Sequence, residues 1–293
     1  MTASIVIILY NPDIEHVNQL IAMFNDDAQA VVQDKQWEVL LIDNSEVAVE
    51  SKLEGRYSYI HCGKNVGIAR AQNIGLHKAF SEFSDYAFLL DQDSAFNPKL
   101  ASELVTQFKQ LSISEPVAAI GPCIHCEFAQ QEVKGVFHKG KEISSTIKEV
   151  KQIIASGMLL SKEAFYAVGD KEQSLFIDGV DHEWCWRARG KGLKVYQSLT
   201  ARMPHRQGDA RVNVLGISFK QGAPIRLYYQ FRNLLVLARR NYVPMYWKFR
   251  HITAIPLRYF VNRFFMPNGK QRAAFMQKGL LHGLKKKGGA FDE

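Results

Sequence analysis

The chain is predicted to fold as an α/β protein: a Rossmann-like, mostly parallel sheet flanked by helices, with a helical C-terminal extension. Three observations predict this. Short apolar runs alternate with segments of helical periodicity through roughly the first 120 residues, as in repeated βαβ units. Those runs are continuously apolar rather than alternating, which marks strands buried on both faces. Most of them stop at polar or acidic residues, and open α/β sheets bind ligands at the carboxyl ends of their strands.

Each element follows in order. Ser4 to Tyr10 reads as the first strand. Asn11-Pro12 ends it, with Asn suited to cap a helix and Pro to its first position. Ile14, Val17, Leu20, Ile21 and Phe24 then recur at helical spacing. Trp37 to Ile42 is a second strand, stopped by Asp43-Asn44-Ser45, and Tyr57 to Cys62 is a third. A helix is expected from about Ile68 to Phe83. Tyr86 to Leu90 is the fourth strand, closing in Asp91-Gln92-Asp93-Ser94. A helix from Pro98 to Leu111 and a fifth strand from Val117 to Ile120 follow, ahead of Gly121-Pro122.

Beyond Pro122 the pattern loosens. Glu127 to Val150 mixes short β-like stretches with polar residues, as an acceptor-side loop or hairpin does. Ala155 to Leu160 leads into a short helix over Ser161 to Val168. A third acidic cluster spans Phe176 to Arg187. Val195 to Leu199 is a late strand, followed by Met203-Pro204-His205-Arg206. From about Pro224 the chain reads as helices. The main unit is therefore 1–222, in halves of about 1–122 and 123–222, and a basic helical region covers 223–293.

The composition, 47% apolar and 23% charged, is that of an ordinary globular protein. No repeat, low-complexity tract or apolar run of bilayer-spanning length is present. Met1-Thr2-Ala3-Ser4 enters a strand directly, so no secretory leader and a cytoplasmic location are expected. Cys62, Cys123, Cys126 and Cys185 fit a reduced compartment. Cys123-Ile124-His125-Cys126 has no second pair with which to complete a zinc site.

A net charge of +8 and a pI of 9.2 call for a polyanionic partner: nucleic acid, an anionic membrane surface or a diphosphate. No nucleic-acid recognition motif is present, so that partner is not expected. Much of the excess lies late in the chain. Tyr242 to Pro267 interleaves aromatics with Lys248, Arg250, His251, Arg258 and Arg263, and Lys285-Lys286-Lys287 follows. A basic, aromatic, amphipathic helix pair suits attachment to the inner face of an anionic membrane. A solvated helical face and a homo-oligomer contact are the other uses of such a surface.

The chemistry centres on Asp91 and Asp93. Two carboxylates at a strand tip can share a hard divalent cation, Mg2+ or Mn2+, whose shell substrate phosphates complete. The plainer reading is a turn closing the strand. Asp43 is placed to accept N3–H of a uracil or thymine ring, or simply to turn the chain. Asn65-Val66-Gly67-Ile68-Ala69-Arg70-Ala71-Gln72-Asn73-Ile74-Gly75 opens a helix with small residues at helical spacing. Gly67 allows a ligand to approach the backbone, and a helix N-terminus attracts phosphate. Packing alone is the bland account of those small residues.

Ile7 to Asn11, Leu41 to Ser45, Asn65 to Gly75 and Leu89 to Ser94 together resemble the family 2 inverting glycosyltransferases of GT-A fold. The likeness is strongest to their bacterial rhamnosyltransferase branch. Asp178 to Arg187 and Tyr228-Tyr229-Gln230-Phe231-Arg232-Asn233 are similar to that branch as well. The resemblance covers roughly residues 4 to 240. It implies that Tyr10, Asn11 and Asp43 hold the nucleobase and ribose, with Asn65, Gly67 and Gln72 near the nucleotide. It implies that Asp91 and Asp93 flank the metal and diphosphate, that Asp181 is the base with Glu183 beside it, and that His205 reaches the metal or leaving phosphate. Many members carry Arg where this chain has Gln72, and Arg70 is the substitute at hand. Asp178 rivals Asp181 as base.

Sugar transfer from a nucleotide needs a stabilised leaving group and a deprotonated acceptor hydroxyl. A divalent ion on the diphosphate serves the first and a carboxylate serves the second. The implied donor is dTDP-L-rhamnose and the implied acceptor a glycan or lipid-linked glycan. A UDP-sugar such as UDP-galactofuranose is the enzymatic alternative, and a non-catalytic sugar-nucleotide-binding protein is the alternative of another class. A nucleotidyltransferase would carry a Gly-rich basic loop after its first strand, where this chain has Tyr10-Asn11-Pro12-Asp13. Neither a dinucleotide fingerprint nor a Walker A pattern is in place.

Overall fold

The computed structural model describes residues 2–26, 36–126, 131–132, 140–205, 211–214, 217–220 and 222–291. Its centre is a ten-stranded mixed sheet. β1 (Thr2–Leu9), β2 (Gln36–Asp43), β3 (Ser58–His61) and β4 (Tyr86–Asp91) run parallel in the order β3-β2-β1-β4. Between them lie α1 (Ile14–Asn25) and α2 (Ile68–Lys78), the latter prolonged by a π turn over Ala79–Phe83. α3 (Pro98–Ser112) leads to β5 (Val117–Cys126).

The continuously apolar strands bury both faces. Ile5, Ile7 and Leu9 point into one layer with Val17, Leu20 and Ile21 of α1 and Leu104 of α3. Val6 and Ile8 point into the other, with Ala71 and Leu76 of α2. Helix starts follow their caps. Asp13 accepts from the N–H of Glu15 at 3.1 Å, and Asn97 from that of Leu100 at 2.9 Å. Pro98 takes the first position of α3.

The second half departs from a plain βαβ series. β6 (Gln131–Glu132) pairs with the end of β5, and β7 (Lys141–Glu142) with β8 (Ile147–Val150). β9 (Met158–Ser161) then inserts antiparallel between β4 and β5. α4 (Lys162–Val168) and α5 (Val180–Gly190) follow. β10 (Lys194–His205) lies parallel to β5 and antiparallel to β8. It runs six residues past the expected Leu199, with a register break between Gln197 and Arg202. A bulge of that kind lets a strand bend and continue. β11 (Arg211–Val214) and β12 (Ile217–Lys220) form a separate hairpin.

The C-terminal region is helical from α6 (Pro224–Ala238) onward, through α7 (Met245–Thr253), α8 (Ile255–Phe264) and α9 (Gly269–Leu284). α6 docks on the main unit through Leu237, which packs with Leu175, Val180 and Trp186. No helix among the described residues is long and apolar enough to cross a membrane. Cys62, Cys123 and Cys185 form no disulfide. The Cys126 side chain, and so the Cys123-Cys126 pair, lies outside the described residues.

Candidate active site

Parallel pairing sets the strand tips side by side. Asp43 is opposite Leu9 and His61, and Asp91 is opposite Ile8. The polar residues following β1, β2, β3 and β4 therefore meet along one edge of the sheet, as the crevice rule requires.

The first cluster surrounds Asp43, which is fully buried. Its Oδ1 accepts the Ser45 N–H at 2.9 Å and its Oδ2 the Val49 N–H at 3.2 Å; the Tyr59 hydroxyl donates to Oδ2 as well. Burial pushes this carboxyl upward, but the bonds from Ser45, Tyr59 and Val49 outweigh it and hold the pKa below its ordinary value. Tyr59 is pushed up to about 12 by burial and by its bond to Asp43. The Ser45 side chain adds a fourth bond, so the carboxylate is held firmly at the strand tip by its own neighbours. Ser45 Oγ accepts the N–H of Asn11 at 2.8 Å. Tyr10 and Asn11 are exposed beside it, Asn11 with a φ of 45°.

Gln92, between the two strand-tip aspartates, clamps the same segment. Its Oε1 accepts the Tyr10 N–H at 2.6 Å and its Nε2 donates to the Tyr10 carbonyl at 3.2 Å. The tips of β1 and β4 are thus joined by a side chain that sequence reasoning passed over.

Next to them, Asn44 Nδ2 donates to Asn65 Oδ1 at 3.0 Å. Asn44 Oδ1 accepts the Val66 N–H at 2.7 Å, and Asn65 Oδ1 accepts the Gly67 N–H at 3.0 Å. Gly67 opens α2 at a φ of +85°, where a Cβ would lie 2.6 Å from the Phe176 ring. Only glycine fits that conformation and that contact. Arg70 is exposed, whereas Gln72 is buried with no partner for its Oε1 among the described residues.

The second cluster joins the carboxylates. Asp181 lies in the first turn of α5, where an acid is favoured by the helix dipole. Its Oδ2 accepts the N–H of Ala155 at 3.1 Å. Its Oδ1 is shielded from solvent and has no hydrogen-bond partner among the described residues. The next residue, Ser156, donates its hydroxyl to Oδ2 of Asp91. The expected base and an expected metal carboxylate are therefore tethered to adjacent residues of one turn. Gly157, at a φ of +81°, lets that turn pass against Pro122 and enter β9. Asp93, at the same tip, is exposed.

The other expected acids are engaged differently. Glu183 is 1% exposed and paired with Arg187 at 2.8 and 3.0 Å, and the Tyr242 hydroxyl donates to it at 2.6 Å. Asp178, at a φ of 64°, is bound by the Arg226 guanidinium at 2.6 Å. Trp184 and Trp186 are buried, their indole N–H groups given to Gly169 O at 2.8 Å and Gln152 Oε1 at 2.7 Å. Both indoles are part of the packed interior. Phe176 stacks on Tyr229 with ring centroids 5.0 Å apart. His205 ends β10 opposite Cys126, but its side chain and Arg206 lie outside the described residues.

Two further features escaped sequence reasoning. Lys171 is 1% exposed; its Nζ lies 3.4 Å from Met158 Sδ and 4.6 Å from the Trp184 ring. Burial lowers its pKa, against the pull of Asp181, Cys185 and Glu183. The loop ahead of α5 hangs from α6. Arg232 donates to the carbonyls of Ser174, Leu175 and Gly289, and Asn233 Nδ2 to those of Leu175, Ile177 and Asp178, all at 2.6–3.1 Å. The Tyr-Tyr-Gln-Phe-Arg-Asn stretch was the available signal, though its letters do not name the loop it holds.

Two neighbouring carboxylates, one of them oriented by a serine, are hard oxygen donors suited to a divalent ion that keeps outer positions for phosphate. No group of three or more acidic, Cys or His side chains gathers among the described residues.

The comparisons with known proteins agree with this geometry. The dTDP-rhamnosyl transferase RfbF of Shigella flexneri is 29% identical over 260 residues, covering 84% of this chain and 83% of that protein. The structure of GalNAc-T7 with UDP, GalNAc and Mn2+ matches 98% of this chain at a TM-score of 0.58 and 14% identity. This chain spans 56% of the length of that one. The structure of S. aureus TarS 1-349 with UDP-GlcNAc matches 97% of this chain and 81% of its own at a TM-score of 0.57 and 12% identity. These structural likenesses identify the fold as that of the GT-A glycosyltransferases. The model of glycosyl transferase family 2 matches residues 4–166. That is more than half of the sequence, and the chain belongs to this family.

Proposed function

We propose that this protein is a metal-dependent, inverting rhamnosyltransferase. It moves L-rhamnose from dTDP-L-rhamnose to a hydroxyl of a growing bacterial cell-surface polysaccharide such as O-antigen. The observation that carries the reading is the turn at Ala155-Ser156, which holds Asp181 by a backbone N–H and Asp91 by a hydroxyl. The RfbF likeness supports the donor.

In this reading Tyr10, Asn11 and Asp43 take the nucleobase and ribose, Asn65, Gly67, Arg70 and Gln72 lie along the nucleotide, and Asp178 shapes the acceptor side. Asp91 and Asp93, with His205, would hold Mg2+ or Mn2+, which when bound supplies Lewis-acid stabilisation to the departing diphosphate. Asp181 accepts the proton of the acceptor hydroxyl as that oxygen attacks the anomeric carbon. Its Oδ2 is fixed by the Ala155 N–H. Displacement in one step inverts the anomeric centre through an oxocarbenium-like transition state. Glu183 acts through structure, holding Arg187 and Tyr242 behind the base. Residues 1–222 form the catalytic unit, and 223–293 support it at the inner face of the cell membrane, where lipid-linked acceptors reside.

The test is thermal shift with dTDP and with UDP, each with and without Mn2+, since a ligand stabilises the state that binds it. A shift with dTDP that grows with Mn2+ is expected. A larger shift with UDP would move the donor to a UDP-sugar, and no shift with either would remove the donor site.

A further inference from the structure

Two short helices leave an apolar surface uncovered. On α7, Met245, Phe249 and Ile252 are 73%, 72% and 43% exposed. On α8, Leu257, Phe260 and Phe264 are 50%, 49% and 62% exposed. Each trio recurs at three- and four-residue spacing, so each lies on a strip about 60° wide. Packing fixes which side faces out. Trp247 meets Trp186 edge-on at 5.1 Å and stacks on His251 at 4.4 Å, while Lys151 lies 4.9 Å from the Tyr246 ring. α7 itself buries no residue. Large exposed aromatic side chains on adjacent helices mark a contact surface.

The charge of this part of the chain is one-sided, although Arg232 and Arg272 are buried. Residues 210–291 contain sixteen Lys and Arg and no Asp or Glu. The chain as a whole is +8, so the rest of it carries a net −8. Arg226 and Arg240 pair with Asp178 and Glu172 of the main unit. No carboxylate within 210–291 offsets the others. Such a region repels a second copy of itself across a two-fold contact, and it complements a surface dense in phosphate.

We propose that the α7–α8 face docks on an anionic phospholipid bilayer. The strip of Phe249, Phe260 and Phe264 enters the acyl boundary, and the surrounding Lys and Arg lie at the level of the phosphates. Neither helix spans the bilayer, being nine and ten residues long. The proposal deepens the reading above by naming the surface that brings the enzyme to its acceptor.

The test is co-sedimentation of the full chain with vesicles of phosphatidylglycerol and phosphatidylethanolamine, or of phosphatidylcholine alone. The chain should sediment with the anionic vesicles only, and about tenfold less when salt is raised to about 0.5 M. Phe249→Ser/Phe260→Ser/Phe264→Ser should weaken binding at least tenfold while keeping the melting curve. Should that variant fail to fold, Lys285→Gln/Lys286→Gln/Lys287→Gln should weaken binding to anionic vesicles by itself. Wild-type chain left in the supernatant would overturn the proposal, as would either folded variant binding like wild type. A dimer that the phenylalanine variant splits, with no vesicle binding by the wild type, would assign the face to a second copy. Vesicle binding without any nucleotide shift would remove the donor reading and keep this one.

Discussion

Ser156 donates its hydroxyl to Oδ2 of Asp91 across 65 residues of chain. Ser156 is buried beside the half-buried Asp91. A hydrogen bond to a charged group contributes about 1.5–3 kcal/mol. Ser156→Ala should therefore lower kcat/KM about tenfold or more and weaken the Mn2+-dependent part of the dTDP thermal shift. A wild-type Mn2+ response in that variant would separate Ser156 from the carboxylate pair.

Asp181→Asn keeps the bond from Ala155 but removes the proton acceptor. Loss of a general base costs about 10²–10⁴-fold. Transfer should fall by that factor while dTDP still raises the melting temperature as in the wild type. Full turnover in a transfer assay would take Asp181 out of the reaction and leave Asp178 to be tried.

Asp43 titrates lower in the folded protein than its ordinary 3.8. The native state thus binds its proton less tightly than the unfolded chain does. The stability Asp43 contributes is complete above about pH 3.8 and is lost as pH falls through the folded value. In melts from pH 7 downward, the advantage of wild type over Asp43→Asn should hold to about pH 4 and then shrink. A constant difference down to pH 2 would contradict this.

Lys171 has the opposite sign. Its folded pKa lies below 10.5, so the unfolded chain binds the proton more tightly and stability rises with pH through that window. A buried amine facing a thioether and an indole is replaceable by an apolar side chain of similar length. Lys171→Met should melt higher at pH 7, and its gain should fade as pH approaches 10.5. A variant that melts lower at pH 7 would mean the attraction of Asp181 outweighs the desolvation.

Asn233 Nδ2 shares its two hydrogens among three carbonyls just ahead of α5. Asn233→Leu removes the donor to Ile177 and Asp178, while Leu175 keeps Arg232 and the Ile177 N–H, at about 1–3 kcal/mol for each buried group left unpaired. Urea unfolding should show a loss of about 2 kcal/mol or more, with transfer falling further than dTDP binding does.

The parallel half of the sheet was legible because its strands advertise themselves: Ile5 to Leu9 and Phe88 to Leu90 are buried on both faces and interrupted by nothing polar. Pro98 marked a helix start through local chemistry, whereas α1 begins two residues later than expected, at Ile14, because the Asp13 carboxylate and not Asn11 caps it. What lay beyond reach was long-range. Ala155-Ser156-Gly157 contains one hydroxyl and no charge, and its importance comes from what it meets in space. Likewise Gln92 read as a spacer between two aspartates, yet it holds Tyr10. Lys171 gave no sign of burial, since a lone lysine in a polar segment reads as surface.

The insertion of β9 between β4 and β5 bears on how the protein comes into being. A polypeptide emerging from the ribosome completes β4 and its aspartates some seventy residues before their partner strand exists. Until then β4 presents a bare edge, open to adventitious pairing. Fragments ending near residue 126 should accordingly aggregate rather than bind nucleotide, and refolding should be slow, as it is for topologies closed by distant strands. The catalytic carboxylates thus wait on segments far downstream before their surroundings are complete.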